Sequence, residues 1–142
     1  MTRTPERETF YADVLKLGLE RRGVQLWPAT VENFRYVNPQ AGIQYGNIRY
    51  GRRGGGNWEA VIRVRDYSHN HDERWAVGIN TVSSGFVVLR RWDYDPKRTR
   101  VAQCVRNQIV SAFQRSDLTR LDPELCDYVI QLGLFGKVVY GT

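Results

Sequence analysis

The stretch Trp58-Glu-Ala-Val-Ile-Arg-Val-Arg65 decides the fold class, because apolar and charged side chains alternate along it. Its even-numbered positions are all apolar, whereas Glu59, Arg63 and Arg65 are charged. A period of two is typical of a strand that turns one face to the core and the other to water. The same alternation recurs over residues 74–80, so the sequence predicts two strands of one antiparallel sheet.

Residues before and after this pair extend the predicted sheet. Ile48 and Tyr50 alternate with polar neighbours, and the segment Phe86–Trp92 is rich in β-branched and aromatic residues. Turn-forming Gly, Pro, Asn and Ser residues separate these runs. We therefore predict an antiparallel meander of four or five strands over about residues 24–92.

Helix-start signals flank the predicted sheet on both sides. Thr4-Pro5 precedes residues with helical apolar spacing and Gly23 is a typical stop, which predicts a helix over about residues 5–22. Asp95-Pro96 and Asp122-Pro123 repeat the pattern of a capping residue followed by proline. These starts predict helices over about residues 96–114 and 123–133, the second ending at Gly133.

The order helix, sheet, helix, helix predicts a single α+β domain over residues 1–142. One N-terminal and two C-terminal helices then pack on one face of the sheet, which buries its apolar side economically. An apolar tail over residues 134–142 follows, as an edge strand or as an arm on a neighbouring subunit. Because this tail and the segment Phe86–Leu89 are both apolar, we expect the chain to form a homo-oligomer.

No apolar run approaches the roughly 20 residues that span a bilayer. The first residues also lack the apolar segment of a signal peptide. We therefore expect no membrane partner and a cytoplasmic location, or the virion and host cytoplasm if the protein is viral.

Positive charge is concentrated in the middle of the chain. The net charge is +6, and the chain holds 18 Arg but only 3 Lys. Residues 35–115 carry 14 of the basic residues against 6 acidic ones, so the ends slightly oppose the field of the middle. Such asymmetry is typical of a face for an anionic partner. The excess of Arg over Lys has an alternative explanation, because a GC-rich genome favours arginine codons whatever the function of the protein.

The glycine-rich loop over residues 51–57 is the most distinctive segment. Arg52 and Arg53 precede three consecutive glycines, and Tyr50 and Trp58 flank the loop. Glycine lets the backbone approach a ligand, arginine binds phosphate, and aromatic rings stack on bases. No Gly-Lys-Ser/Thr follows, so this is not a Walker loop. The alternative is a flexible hairpin loop with solvated charges.

A second basic run covers residues 90–100 and includes Arg91 and Arg98. It joins the end of a predicted strand to the start of a predicted helix. Arg63 and Arg65 on the central strand add to the expected basic surface. The alternative for the run is local pairing, because Asp93 and Asp95 lie within it.

The sequence shows no complete set of catalytic or metal-binding residues. His69 and His71 are the two histidines, and whether they bind a metal stays open. Cys104 and Cys126 fall in predicted helices and are expected as buried core thiols. No nucleophile has an assignable base, so we predict a non-catalytic protein with no cofactor and no metal site.

These patterns predict a protein that binds single-stranded or unpaired nucleic acid with weak sequence preference. The alternative is a viral or mobile-element interaction protein, an inhibitor or an assembly factor, whose Arg-rich face binds an acidic protein partner. The predicted nucleic-acid-binding residues are Tyr50, Arg52, Arg53, Trp58, Arg63, Arg65, Arg91 and Arg98.

Overall fold

A three-stranded antiparallel sheet forms one layer of the molecule. The computed structural model describes residues 4–20, 29–36, 49–50, 58–66 and 71–140. Within them the sheet consists of β1 (Ala29–Tyr36), β3 (Trp58–Asp66) and β4 (His71–Gly78). The two-residue β2 (Arg49–Tyr50) pairs with β4 in parallel, which gives the order β1-β3-β4-β2. The α+β class is confirmed, but the meander of four or five antiparallel strands is more than the described residues contain.

The predicted strand after β4 is a helix. β4 ends at Gly78 and α2 (Ile79–Arg90) begins at the next residue, so the sheet does not extend to residue 92. Gly78 donates its backbone N–H to the Thr81 hydroxyl over 3.0 Å, which secures the first turn. Phe86 and Leu89 are both buried, one helical turn apart, because α2 is surrounded by other helices. Burial on several sides of the helix, rather than a strand, explains most of the apolar residues of this segment, although Val87 is 51% exposed.

The first helix and the last helix begin where the sequence predicts. In α1 (Pro5–Glu20) the Thr4 hydroxyl accepts the Arg7 N–H over 3.2 Å. The predicted end at residue 22 lies outside the described residues. In α5 (Pro123–Phe135) the Asp122 carboxylate accepts the Leu125 N–H over 2.8 Å. This helix runs through its predicted stop at Gly133 and ends at Gly136, whose φ of 75° is readily adopted by glycine.

The predicted helix over residues 96–114 is interrupted. It consists of α3 (Pro96–Thr99) and α4 (Gln103–Arg115), and Arg100 between them adopts a left-handed φ of 63°. That conformation costs a non-glycine residue roughly 1–2 kcal/mol. Thr99 and Val101 on either side are both buried, so packing offsets this cost. A 3₁₀ turn over Leu118–Arg120 joins α4 to α5.

One hydrophobic core lies between the sheet and the helices. On the sheet side it includes Ala60, Ile62 and Val64 of β3 and Val77 of β4, all nearly inaccessible. The described helices supply most of the other residues of this core, and they number five rather than the three predicted. None of the described helices is both long enough and apolar enough to cross a membrane.

The C-terminal tail folds back on the chain's own core. Val138 is fully buried, and its N–H donates to the Thr99 carbonyl over 2.9 Å. The described part of the tail is therefore not an edge strand. The prediction of self-association rested on this tail and on Phe86–Leu89. Val138, Phe86 and Leu89 are buried within the chain itself, whereas Val87 is 51% exposed, so self-association stays a prediction.

Candidate nucleic-acid interface

The turn between α2 and α4 presents a tryptophan to solvent. The Trp92 side chain is 96% exposed, the highest exposure of any large hydrophobic residue that the structure describes. A tryptophan ordinarily buries some 150–250 Å² of apolar surface. Tryptophan and arginine are the residues most enriched where binding energy concentrates in interfaces. An indole exposed on an ordered turn is therefore a candidate contact residue.

Five exposed cations surround this tryptophan in the chain. We call this set of side chains the Trp92 surface: Arg90, Arg91, Trp92, Lys97, Arg98 and Arg100. Asp93 and Asp95 lie in the same segment, and both carboxylates have local partners. Asp95 accepts the Lys97 backbone N–H over 2.9 Å and caps α3, while Asp93 lies 3.4 Å from Nε of Arg91. The surface keeps a net positive charge of about three, which suits an anionic partner.

Buried hydrogen bonds hold the turn in place from behind. The Tyr94 hydroxyl donates to the Val101 carbonyl and accepts from the Thr99 hydroxyl over 3.0 Å. Burial of Tyr94 raises the pKa of its hydroxyl, so it stays a donor at neutral pH. Arg106 donates from Nε to the Leu89 carbonyl over 2.7 Å, and its guanidinium lies 5.3 Å from the Tyr94 ring centre. Trp92 is therefore carried by a fixed turn.

A small cavity of about 100 Å³ opens beside the turn that carries Trp92, although the Trp92 side chain is not part of its lining. Arg91 and Arg98 line it together with Asp93 and Tyr94, and the buried Thr99 forms part of its inner wall. The Arg98 side chain makes no hydrogen bond or ion pair with any other residue in the described part of the chain. The cavity is thus lined by the available guanidinium of Arg98 and by that of Arg91, whose ion pair with Asp93 is long and exposed.

A second basic cluster lies on the sheet face that points away from the core. Arg63 and Arg74 are opposite each other on β3 and β4, and Arg65 is opposite Asp72. Arg63 donates to both Asp72 oxygens, over 3.1 and 3.2 Å. This hydrogen bonding, helped by the charges of the three arginines, lowers the pKa of Asp72 below its ordinary value. Val61 and Ala76 are buried on the same face, so the arginines do not lie on a bare surface.

The structure separates the predicted site residues into two groups. Arg91 and Arg98 line one cavity in the helical layer, whereas Arg63 and Arg65 belong to the cluster on the outer sheet face. Tyr50 lies in β2 and Trp58 begins β3, but their side chains lie outside what the structure describes. Arg52 and Arg53 lie outside the described residues altogether.

Sequence reasoning missed Trp92. Trp75 lies partly buried, 5.3 Å from the Phe135 ring centre, as is usual for a tryptophan. Trp92 differs in its neighbours, since the charged residues Arg90, Arg91, Asp93 and Asp95 surround it in the sequence. A tryptophan inside so polar a segment lacks the apolar neighbours that accompany a core residue, and that is the signal that was available.

Groups suited to catalysis are not assembled in the described part of the chain. No three His, Cys, Asp or Glu residues there come close enough to hold a metal ion. His69 lies outside the described residues, and His71 begins β4. The prediction of two buried thiols is half wrong: Cys126 is buried, whereas Cys104 is exposed because it faces away from the apolar stripe of α4. Burial and the nearby Asp122 and Asp127 carboxylates raise the pKa of Cys126 to about 12.

Comparison with protein-family models, curated protein sequences and solved structures finds no match to this chain.

Proposed function

We propose that this protein is a non-catalytic nucleic-acid-binding protein that holds single-stranded or unpaired strands with weak sequence preference. The observation that carries the proposal is the 96% exposure of Trp92 among five exposed cations. Arginine and lysine bind phosphates, and an exposed indole stacks on a base of any sequence. The combination is the one that a single strand requires, because its bases are free to stack.

Duplex recognition is less well supported. A recognition helix presents clustered basic and polar residues to the major groove. The cations of α4 do not form such a cluster, because Arg106 is engaged with Leu89 and Tyr94 and Arg115 lies at the far end of the helix. The turn that carries Trp92 is too irregular to enter a groove as a helix.

The outer sheet face supplies a second proposed contact. Arg63 and Arg65 lie beside Arg74 there, with one carboxylate among three guanidiniums. We propose this face as a separate contact for phosphates of a bound strand. We include Arg52, Arg53, Tyr50 and Trp58 in the proposal as an extension of the binding path, on their sequence pattern alone.

A direct test measures binding of a single strand of about 30 nucleotides by fluorescence anisotropy at several salt concentrations. If about four to six phosphates are engaged, log affinity falls with log salt with a slope of roughly −3 to −4. Trp92→Ala should cost about 1–3 kcal/mol of binding free energy. Because Trp92 is exposed, this variant should keep the thermal midpoint of the parent, unlike a core substitution.

Charge-removing variants separate phosphate contact from bulk charge. Arg91→Ala with Arg98→Ala should flatten the salt slope by roughly one unit. Arg115→Ala, an exposed arginine at the far end of α4, is the matched control and should leave the slope nearly unchanged. Absence of binding at low salt by the folded protein would end the proposal. Copurification with an acidic protein in that case would favour the interaction-protein alternative, viral or mobile-element, which uses the same Trp and Arg side chains.

A further inference from the structure

We propose that the cavity beside Trp92 binds the terminal phosphate of a nucleic-acid strand, so that the protein prefers phosphorylated strand ends. This inference rests on the proposed function and assigns a ligand to the cavity lined by Arg91 and Arg98. The terminal base would then stack on Trp92, which follows Arg91 directly in the chain.

The size of the cavity selects a small group. Its volume of about 100 Å³ is well below the roughly 300–1,000 Å³ of pockets that enclose whole small molecules. A phosphate group fits such a space, and the buried Thr99 lines it.

The guanidiniums in the cavity match the chemistry of phosphate. A planar guanidinium binds two phosphate oxygens at once. Arg98 has no partner among the described residues, and Arg91 has only the exposed Asp93 contact at 3.4 Å. Both are therefore available to an incoming dianion without the loss of a buried interaction.

Charge explains why a terminal phosphate is favoured over an internal one. An internal phosphodiester carries a single negative charge, whereas a terminal phosphate carries between about 1.5 and 2 negative charges at neutral pH. The two guanidiniums therefore attract a terminal phosphate more strongly. Asp93 and Asp95 also line the cavity, and their charges lower its affinity for either kind of phosphate.

The test compares one oligonucleotide in three forms: 5′-phosphorylated, 3′-phosphorylated and without a terminal phosphate. We expect one phosphorylated form to bind about tenfold more tightly than the unphosphorylated strand, as for one added charge-assisted contact. Arg98→Ala should weaken binding of all three strands and abolish this preference, because the phosphorylated strand loses the most. Inorganic phosphate should compete with the preferred end only.

Asp93→Asn provides the sharper measurement, because it should strengthen binding rather than weaken it. Removal of the competing carboxylate frees Arg91 and removes a repulsive charge from the cavity, so affinity rises for all three strands and the end preference is kept or widens. Asp13→Asn removes the same charge from an exposed position on α1 and controls for net charge. Equal affinity for all three strands would overturn this inference and leave the proposed function standing. An Asp93→Asn effect no larger than that of Asp13→Asn would also overturn it. Failure of all three strands to bind would overturn both proposals.

Discussion

The carboxylate of Asp72 lowers the positive charge of the outer sheet face. Its carboxylate accepts two hydrogen bonds from Arg63, and these, more than the charges of Arg65 and Arg74, lower its pKa from the ordinary 3.8. A lowered pKa means that the ion pair stabilises the folded state above the ordinary pKa of aspartate. That contribution is lost as the pH falls through the folded-state pKa.

We predict that Arg63→Gln returns the pKa of Asp72 towards 3.8, because it removes the largest cause of the shift. Arg65→Gln removes a smaller electrostatic contribution and is the matched control, with a smaller rise expected. Carbon-detected NMR titration of the Asp72 carboxyl measures both. Equal shifts in the two variants would mean that charge alone, rather than the two-pronged hydrogen bond, lowers the pKa.

The role of a residue could be predicted from the sequence where it depends on nearby residues of the chain. It could not be predicted where it depends on the exposure of the side chain in the folded protein. Thr4 and Asp122 cap their helices as the sequence indicates, because capping depends on neighbours three positions away. The exposure of Trp92 depends on how the turn sits on Thr99 and Tyr94, which no local pattern specifies. Cys104 illustrates the same limit: membership of a helix was correct, but its side of the helix was not.

Among the secondary-structure elements, α2 is the one for which the sequence wrongly predicted a strand. The prediction failed because small residues within this helix resemble a turn. Ser83-Ser84-Gly85 resembles a turn in the sequence, yet Ser84 and Gly85 lie buried in the middle of the helix. A Cβ at Gly85 would overlap the Val129 carbonyl of α5, and a Cβ at Gly133 would overlap the Thr81 carbonyl of α2. Each helix therefore meets the other at a glycine. Small residues that indicate a turn in the sequence are needed here for the close packing of α2 against α5. Only the tertiary structure shows which of these two roles such residues have.

We predict that Gly85→Ala and Gly133→Ala each destabilise the protein by roughly 1–3 kcal/mol or more, because backbone atoms must move to admit the methyl group. Helix propensity alone gives the opposite sign, since alanine favours a helix interior over glycine by roughly 0.5–1 kcal/mol. Urea unfolding therefore distinguishes the two effects by sign. Val87→Ala, at a position 51% exposed on α2, is the control and should change stability by about 0.5 kcal/mol at most. A more stable Gly133→Ala variant would contradict the close crossing.

In the whole molecule, the C-terminal tail connects the last helix, α5, to the turn that carries Trp92. Gln131 of α5 is fully buried, and its side-chain oxygen accepts the N–H groups of Val139 and Tyr140 over 2.8 and 3.0 Å. Its amide nitrogen donates to the Tyr140 carbonyl over 3.0 Å. One residue earlier, Val138 bonds to Thr99 beneath the Trp92 surface. A buried side chain in α5 thereby fixes the backbone that supports Arg98 in α3. The apolar tail was recognisable in the sequence, but its docking partner was not, because a buried glutamine contradicts the usual placement of that residue.

We predict that Gln131→Leu releases residues 138–140 and weakens strand binding although it removes no charge and no exposed group. Leucine has no acceptor, so two backbone N–H groups lose their partner, at a cost of roughly 1–3 kcal/mol each if they stay buried. Detachment of the tail into water avoids that cost. Hydrogen exchange at Val138 and Tyr140 should then accelerate, while that of the sheet amides at Ile62 should change little. Gln114→Leu, on the exposed face of α4, is the matched control and should alter neither exchange nor affinity. Retained protection of Val138 in the Gln131→Leu variant would show that apolar packing alone holds the tail. Fast exchange with unchanged strand affinity would show that the Trp92 surface keeps its shape without Val138.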